Sequence, residues 1–192
     1  MTEQEALAMM RGAGAYEEGH FLMRSGRHAD AYLSCGRLIE RSDAAEALCE
    51  ALAERARPLG ADVVIAPALG GLIFGYLVAR TLGKRFIFCE RKDGVMTLRR
   101  GFSIARGARV LIVEDRVTTG GSVREVMEIV RALGAETVGV AALLDCTGGR
   151  AALGVPFEAL VRTEVRLYPA ADCPLCRAGV PMSPARGDAR ES

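Results

Sequence analysis

One segment, residues 110–123, constrains the fold more than any other part of the sequence. It begins with a run of apolar, mostly β-branched residues, which is typical of a parallel strand covered on both faces. Two carboxylates, Glu114 and Asp115, follow that run, and residues 118–122 (Thr-Thr-Gly-Gly-Ser) then lead into a helical pattern. Glycines let backbone N–H groups approach a ligand, and a helix N-terminus carries partial positive charge. The segment therefore predicts an anion site.

The remainder of the chain alternates between short apolar runs and amphipathic segments. Apolar runs of strand length occupy residues 62–66, 85–90, 109–114, 137–144 and 157–161. Patterns of helical period lie beside them, chiefly at residues 43–58, 71–82 and 122–133. This alternation predicts an α/β fold in which helices flank a doubly wound, mainly parallel sheet with right-handed crossovers.

The length of 192 residues fits one domain, and we expect that domain to span residues 1–182. Residues 1–40, with short strands around Ser25-Gly26, are expected to form a small N-terminal hood. Residues 93–104 interrupt the alternation with glycines and arginines, so a flexible hairpin or flap is predicted there. Residues 183–192 have little to bury and are predicted to be a disordered tail.

Charge and composition exclude several classes of protein. The net charge of +1 gives no broad field for nucleic acid, and no apolar run is long enough for a signal peptide or a bilayer span. We therefore expect a cytoplasmic protein that binds small molecules, with neither nucleic acid nor membrane as a partner. The motifs Gly-Lys-Ser/Thr and Gly-x-Gly-x-x-Gly after a strand do not occur, which argues against a nucleoside triphosphatase or a dehydrogenase.

Six cysteines are spaced unevenly along the chain, and free thiols are expected rather than disulfides. Cys173 and Cys176 form one C-x-x-C motif, which supplies only two of the four ligands that a structural zinc requires. No second pair or suitably spaced histidines accompany the motif. His20 and His28 are interpreted as ordinary turn contacts, so a metal or redox role for the motif is not expected.

Several segments resemble the orotate phosphoribosyltransferase family and occur in the family's order. The acidic pair followed by Thr-Thr-Gly is similar to the signature of phosphoribosyltransferases in general. The likeness covers roughly residues 15–182. It also rests on segments at 19–28 (Gly-His-Phe-Leu-Met-Arg-Ser-Gly-Arg-His), 67–71 (Pro-Ala-Leu-Gly-Gly), 90–92 (Glu-Arg-Lys) and 96–102 (Met-Thr-Leu-Arg-Arg-Gly-Phe). The Arg-Ser-Gly-Arg-His part carries the resemblance to the orotate members.

The resemblance implies Mg²⁺-dependent transfer of the 5-phosphoribosyl group from 5-phosphoribosyl 1-diphosphate, the donor, to orotate. The products would be orotidine 5′-monophosphate and diphosphate, in pyrimidine (UMP) biosynthesis by a homodimer. Glu114, Asp115 and Arg24 are the implied catalytic residues, and Mg²⁺ would be held through the donor, with Asp115 as a further candidate ligand. The implied donor-binding residues are Ala68, Leu69, Gly70, Gly71, Arg91, Lys92, Glu114, Asp115, Thr118, Thr119, Gly120, Gly121 and Ser122.

The chemistry of these residue types agrees with that implication. Residues 67–71, 90–92, 114–115 and Asp145 all follow predicted strands, and ligands of open α/β sheets collect at that edge. Hydroxyl and N–H groups suit a 5′-phosphate, and carboxylates can accept hydrogen bonds from ribose hydroxyls and offset positive charge on the sugar. Arginine and lysine suit the diphosphate.

The base contacts fit the family less well. Arg24 and Thr118 match positions that contact the base in the family. Where an arginine is expected after the next strand, the chain has Cys146, which cannot form a charged fork with the orotate carboxylate. Arg150 is a candidate substitute. In the flap, Arg99 and Arg100 are the available cations where the family has a lysine and a histidine.

Two alternatives stay open at the level of sequence. Cys146 is compatible with transfer to another base, purine or pyrimidine. A regulatory protein could bind the donor without catalysis, although residues before Gly14 are too few for a helix-turn-helix. Turnover with a panel of bases distinguishes these alternatives.

Overall fold

The computed structural model describes residues 1–23 and 25–184. In chain order the helices and strands are α1 (Glu3–Gly12), β1 (Tyr16–Leu22), β2 (His28–Leu33), α2 (Gly36–Ile39), α3 (Ser42–Ala56), β3 (Val63–Pro67), α4 (Leu72–Leu82), β4 (Arg85–Lys92), β5 (Val95–Leu98), β6 (Arg109–Val117), α5 (Gly121–Ala132), β7 (Glu136–Asp145), β8 (Phe157–Arg162), β9 (Leu167–Tyr168), α6 (Pro174–Arg177) and β10 (Met182–Pro184). Short 3-10 helices, Arg57–Leu59 and Ala170–Asp172, precede β3 and α6. None of the described helices is long and apolar enough to span a bilayer.

The central sheet has six strands in the order β5-β4-β3-β6-β7-β8, and only β5 runs antiparallel to its neighbour. Alternate residues of β6 face opposite sides of this sheet. Leu111 and Val113 belong to the apolar cluster that includes α3 and α4, whereas Val110 and Ile112 belong to the cluster that includes α5. Because both faces are covered, the central strands are apolar throughout. The predicted doubly wound, mainly parallel sheet is confirmed.

Helix α5 is fixed on one face of the sheet by an apolar stripe. Val123, Val126 and Val130 lie at positions i, i+3 and i+7 and are fully buried. Only residues 118–120 separate the end of β6 from the start of α5. The N-terminus of α5 therefore lies at the carboxyl edge of the sheet, where ligands of open α/β folds bind.

A second sheet, which we call the hood sheet, has the strand order β10-β1-β2-β9. Strands β1 and β2 form the antiparallel hairpin predicted around Ser25-Gly26. Strand β10 lies parallel to β1, and β9 lies antiparallel to β2. The prediction of a hood made from residues 1–40 was therefore incomplete, because segments from the C-terminal part of the chain complete its sheet.

The C-terminal end is more ordered than the sequence predicts. Strand β10 includes Ser183 and Pro184, which were assigned to the disordered tail. The backbone register pairs Leu22 with Pro184, a contact between distant segments that the side-chain pattern does not reveal. The prediction of disorder is therefore wrong for Ser183 and Pro184. Residues 185–192 lie outside the described residues.

The predicted flap contains a hairpin at the edge of the central sheet. Lys92 pairs with Val95, so Asp93 and Gly94 form a two-residue turn in which both have positive φ, 52° and 83°. Asp-Gly is a preferred sequence for such turns because both residues tolerate left-handed backbone. A hairpin is therefore present, but its turn lies at the start of the predicted flap, and the flexibility of residues 93–104 stays a prediction.

Candidate active site

The acid pair, Glu114 and Asp115, lies near the carboxyl end of β6. Glu114 is only 8 % exposed. Burial raises the pKa of Glu114, and the neighbouring Asp115 carboxylate raises it further. Burial also raises the pKa of Asp115, while the Arg116 guanidinium acts in the opposite direction. The two carboxyls are therefore held together in a poorly solvated place, which favours a ligand that donates hydrogen bonds or carries positive charge.

Residues 118–122, the hydroxyl turn, connect β6 to α5 and line a cavity of about 200 Å³. Gly120 has a φ of +75°, and a Cβ atom there would lie 2.9 Å from Leu153 Cδ2, so glycine is required. Gly120, the N-cap residue of α5, has no side chain to cap the helix, and the Thr119 hydroxyl accepts a long hydrogen bond of 3.4 Å from the Gly121 N–H. The N–H groups of Ser122 and Val123 stay available to a ligand beside the hydroxyls of Thr118 and Ser122. This arrangement supports the predicted anion site.

Residues 67–71, the glycine turn, connect β3 to α4 and lie against the acid pair. A Cβ atom on Gly71 would lie 2.7 Å from the Val113 carbonyl oxygen. One on Gly70 would lie 3.0 Å from Asp115 Oδ1. Ala68 and Leu69 form the outer part of the turn, where Leu69 is 84 % exposed. The fold thus brings both predicted donor-binding turns to the same two carboxyls.

Four basic residues lie near the same edge of the sheet, and the three arginines among them already have acidic partners. Arg91 lines the cavity of the hydroxyl turn and forms two hydrogen bonds of 2.9 Å and 2.8 Å, to Glu125 and to the Gly94 carbonyl. Lys92, the last residue of β4, is exposed. Arg99 and Arg100 both pair with Glu90, at 3.3 Å and 3.0 Å. A diphosphate bound by Arg91 would have to compete with the Glu125 carboxylate.

A second cavity, of about 350 Å³, lies between the hood sheet and the end of β6, and we call it the inter-sheet cavity. Arg116 and Thr118 line both this cavity and that of the hydroxyl turn. Arg116 Nη1 donates a hydrogen bond of 2.8 Å to the Leu33 carbonyl oxygen, which anchors the guanidinium in the wall. The lining residues are Met23, Ala31, Tyr32, Leu33, Arg116, Thr118, Cys146, Val165 and Leu167. A mainly apolar wall with a few polar groups suits a planar ring with charged substituents.

The predicted base-binding residues do not all meet at this cavity. Thr118 and Cys146 line it, and burial raises the pKa of the Cys146 thiol to about 11, so that this thiol is neutral. Arg150 instead pairs with Glu164 at 2.8 Å on the surface. Arg24 lies outside the described residues. The structure therefore gives no support to Arg150 as the substitute for the expected arginine.

Asp145, the last residue of β7, organises a turn. Its carboxylate accepts hydrogen bonds from the Thr147 N–H at 2.8 Å, the Thr147 hydroxyl at 2.6 Å and the Gly149 N–H at 3.0 Å. The side chain is buried. These bonds use both carboxylate oxygens, so the expectation that Asp145 adds to the ligand cleft is not supported.

Comparison with known proteins identifies the family. Residues 38–153 match the family model of the phosphoribosyl transferase domain. The orotate phosphoribosyltransferase of Pelotomaculum thermopropionicum is 51 % identical over 181 residues, which cover 94 % of this chain and 95 % of that protein. That of Caldanaerobacter subterraneus is 46 % identical over 182 residues, which cover 95 % of this chain and 96 % of that protein. This chain belongs to the orotate phosphoribosyltransferase family.

A solved structure agrees on the fold. The crystal structure of orotate phosphoribosyltransferase from Aeropyrum pernix superposes with a TM-score of 0.68 at 23 % identity, covering 82 % of this chain and 92 % of that chain. The resemblance drawn from the acid pair, the glycine turn and the hood segment is confirmed at the level of the family by the two relatives and the family model above.

Sequence reasoning missed Arg116. It lies near the end of β6, directly after the acid pair and two residues before the predicted base contact Thr118. A basic side chain at the carboxyl end of a central strand, beside the predicted site, was the signal that could have pointed to it.

Sequence reasoning also misjudged the C-x-x-C motif. His20 Nε2 lies 2.9 Å from His28 Nδ1, and the sulfur of Cys176 lies 3.3 Å from His28 Nδ1. Cys173 Sγ lies 3.7 Å from His20 Nε2. The interpretation that no histidines accompany the motif is therefore wrong, because the fold joins segments that are far apart in sequence.

Proposed function

We propose that the protein catalyses Mg²⁺-dependent transfer of the 5-phosphoribosyl group from 5-phosphoribosyl 1-diphosphate to orotate, giving orotidine 5′-monophosphate and diphosphate for pyrimidine biosynthesis. One observation carries the proposal: Arg116 and Thr118 line both a phosphate-sized cavity and a larger, mainly apolar one. The acid pair lies at the same strand end. A phosphosugar and a ring can thus occupy neighbouring places with the sugar beside the carboxyls.

The two turns and the acid pair would each bind a different part of the donor. The hydroxyl turn would bind the 5′-phosphate through its hydroxyls and the N–H groups that begin α5. Glu114 and Asp115 would accept hydrogen bonds from the ribose hydroxyls. The glycine turn would let the backbone approach the diphosphate, and Arg91 and Lys92 would add positive charge there.

During transfer the bond from the ribose carbon to diphosphate breaks, and the bond from a ring nitrogen of orotate to that carbon forms. Positive charge grows on the sugar, and the adjacent carboxylates stabilise it. Negative charge grows on the leaving oxygen, which Arg91 and Lys92 stabilise. The protein needs no covalent nucleophile, because orotate itself attacks after its ring nitrogen has lost a proton.

The residues at this site fit Mg²⁺, because its preferred ligands are oxygens and two carboxyls lie beside the glycine turn. Bound through the donor, Mg²⁺ would neutralise charge on the diphosphate. Asp115, whose Oδ1 atom approaches Gly70, is the further candidate ligand.

We propose that Arg116 binds the orotate carboxylate in place of the arginine expected at Cys146. A guanidinium carries five N–H donors, so the bond to Leu33 leaves others for a carboxylate. The anchor to Leu33 also fixes the orientation of the group, which lowers the entropy lost on binding. Arg150 does not line the inter-sheet cavity, and its guanidinium is paired with Glu164.

The hood sheet and the β4–β5 hairpin flank this edge of the central sheet. Closure of the hairpin over a bound donor would exclude water and so suppress hydrolysis. Arg24, by resemblance, would contact the donor and the base. A homodimer and a cytoplasmic location stay predictions of the family resemblance.

The test is turnover of the purified full chain with the donor, Mg²⁺ and one base at a time, using orotate, uracil, adenine and hypoxanthine. We expect release of diphosphate with orotate alone, in equal amounts with orotidine 5′-monophosphate. Turnover with a purine or uracil in place of orotate would overturn the substrate assignment. Calorimetric binding of the donor without turnover on any base would instead favour a regulatory protein.

A further inference from the structure

Four side chains of the hood sheet and α6 converge on one point away from the acid pair. They are His20 of β1, His28 of β2, Cys173 and Cys176, and their ligand atoms all lie within 4.8 Å of one another. His20, His28 and Cys173 are 3 %, 6 % and 2 % exposed, whereas Cys176 is at the surface. We call this group the His/Cys cluster.

The spacing of the ligand atoms matches the edges of a metal-centred tetrahedron. Zinc bonds of about 2.05 Å to nitrogen and 2.3 Å to sulfur give edges of about 3.3 Å between nitrogens and 3.5 Å between nitrogen and sulfur. Four of the six distances are 2.9 Å between the nitrogens and 3.3, 3.7 and 3.7 Å between nitrogen and sulfur, and the two others lie within 4.8 Å. Small movements of the side chains would centre an ion among all four atoms.

The orientation of His20 supports a ligand role. Its Nδ1 lies 2.9 Å from the Val180 carbonyl oxygen, which can only accept, so Nδ1 carries the proton. Nε2 therefore points its lone pair towards His28 and the two sulfurs. Metal-binding histidines commonly donate their other N–H to a backbone carbonyl in this way, which fixes the ring and its tautomer.

Other uses of the cluster account for fewer of its contacts. A disulfide between Cys173 and Cys176 would consume both sulfurs and leave the imidazole nitrogens only their contact with each other, and both thiols are free. A Rieske iron–sulfur centre also takes two cysteines and two histidines, but on two separate irons. Four ligand atoms within 4.8 Å of one another suit a single ion instead, and two sulfurs with two imidazoles in a tetrahedron are typical of zinc. Two thiolates, two neutral imidazoles and Zn²⁺ also sum to zero charge, which suits a largely buried site.

We propose that His20, His28, Cys173 and Cys176 bind one Zn²⁺ in a closed, structural site. All four ligands come from the protein, so no position is open for a substrate. The ion joins α6 to the β1–β2 hairpin, and so holds the C-terminal strands β9 and β10 on the hood sheet. His20 and His28 also lie on either side of Met23, which lines the inter-sheet cavity. The site therefore holds in place the two strands that lead to the border of the proposed orotate pocket.

The test is the metal content of the full chain, produced in zinc-supplemented medium and purified with a reducing agent and without chelator. We expect about one zinc per chain by mass spectrometry, and less than about 0.1 in the Cys173→Ser/Cys176→Ser variant. Cys49→Ala, which changes a buried cysteine in α3 outside the cluster, is the matched control and should keep its zinc. Circular dichroism checks that each variant folds.

A second measurement does not depend on how the variant folds. Metal-free wild-type protein titrated with Co²⁺ should develop the intense visible bands of tetrahedral cobalt and the ultraviolet band of thiolate-to-metal charge transfer. Wild-type protein that contains no zinc and shows neither band would overturn the proposal, as would iron in place of zinc or a serine variant that retains the metal. Neither measurement needs donor or orotate, so the result stands apart from the proposed reaction.

Discussion

The acid pair and the His/Cys cluster differ in how their charge is compensated. Glu114 and Asp115 are neighbouring acidic groups in a poorly solvated place, and burial raises the pKa of both. In the His/Cys cluster, four ligand atoms surround one point, and a single cation at that point would coordinate all four. The charge of the acid pair is therefore compensated only when a substrate binds, whereas the proposed zinc ion compensates the His/Cys cluster permanently.

Substitutions at the two sites should therefore affect different properties, turnover at one and stability at the other. A change at the acid pair should affect turnover far more than stability, because its partner is present only during the reaction. A change at the cluster should affect stability and the position of the hood sheet, because its partner contributes to the folded state itself.

The largest expected effect belongs to Asp115→Asn. Loss of one carboxylate beside the developing positive charge should lower kcat/KM for the donor by roughly 10³-fold. The variant should keep its zinc content and its circular dichroism spectrum. Glu128→Gln, which removes an exposed carboxylate of α5 paired with Arg131, is the control and should keep the wild-type rate. Wild-type turnover by Asp115→Asn would remove the acid pair from the mechanism.

Arg116→Gln is expected to have the next largest effect. Loss of a charge-assisted hydrogen bond costs about 1.5–3 kcal/mol, which corresponds to a rise of roughly 10- to 100-fold in the KM for orotate. The KM for the donor should change less, since the hydroxyl turn and acid pair remain. Arg150→Gln is the matched control and should stay within about twofold of wild type. A larger effect of Arg150→Gln would show that the Thr147-Gly-Gly turn rearranges around the substrate.

The two sites differ in how far the sequence could predict them. The acid pair, the hydroxyl turn and the start of α5 are consecutive, so a single apolar strand fixes their relative positions. The glycine turn could be added because parallel strands end at one edge of the sheet. Arg116 was missed within this same segment, because its role depends on the Leu33 carbonyl of another sheet.

The His/Cys cluster lay beyond sequence reasoning for a related reason. Its histidines are eight residues apart, but Cys173 is 153 residues from His20. Only the register of β1 with β2 and the placement of α6 bring the four ligands together. The C-x-x-C motif was visible, whereas the topology that supplies its partners was not.

Cys176→Ser removes one ligand of the proposed zinc site. Loss of zinc should lower stability by about 3 kcal/mol, or roughly 6–12 °C in Tm for a chain of this length. The KM for orotate should rise by less than about tenfold and kcat should stay near wild type, because Met23, the residue of this hairpin nearest the site, only borders the pocket. Scanning calorimetry and steady-state kinetics measure both, with Cys49→Ala as the control. A collapse of kcat with unchanged Tm would contradict a structural role.

The smallest expected effect is a pH-dependent gain in stability from Glu114→Gln. Burial and Asp115 raise the pKa of Glu114 above its ordinary value of 4.5, so the folded chain holds this proton more tightly than the unfolded chain. The stability that this group contributes is present below the unfolded pKa and is lost as pH rises through the raised folded pKa. Glutamine cannot ionise, so the variant avoids that loss.

The variant should therefore exceed wild type in Tm at pH 8 by roughly 2–4 °C, the shift that about 1 kcal/mol produces at this length, and the difference should shrink towards pH 5. Glu128→Gln serves again as the control, because its carboxylate is exposed and should give no such trend. A difference in Tm that does not change with pH would mean that the acid pair is not electrostatically strained in the free protein. That result would contradict the expectation that substitution raises Tm at the acid pair for an electrostatic reason and lowers it at the His/Cys cluster.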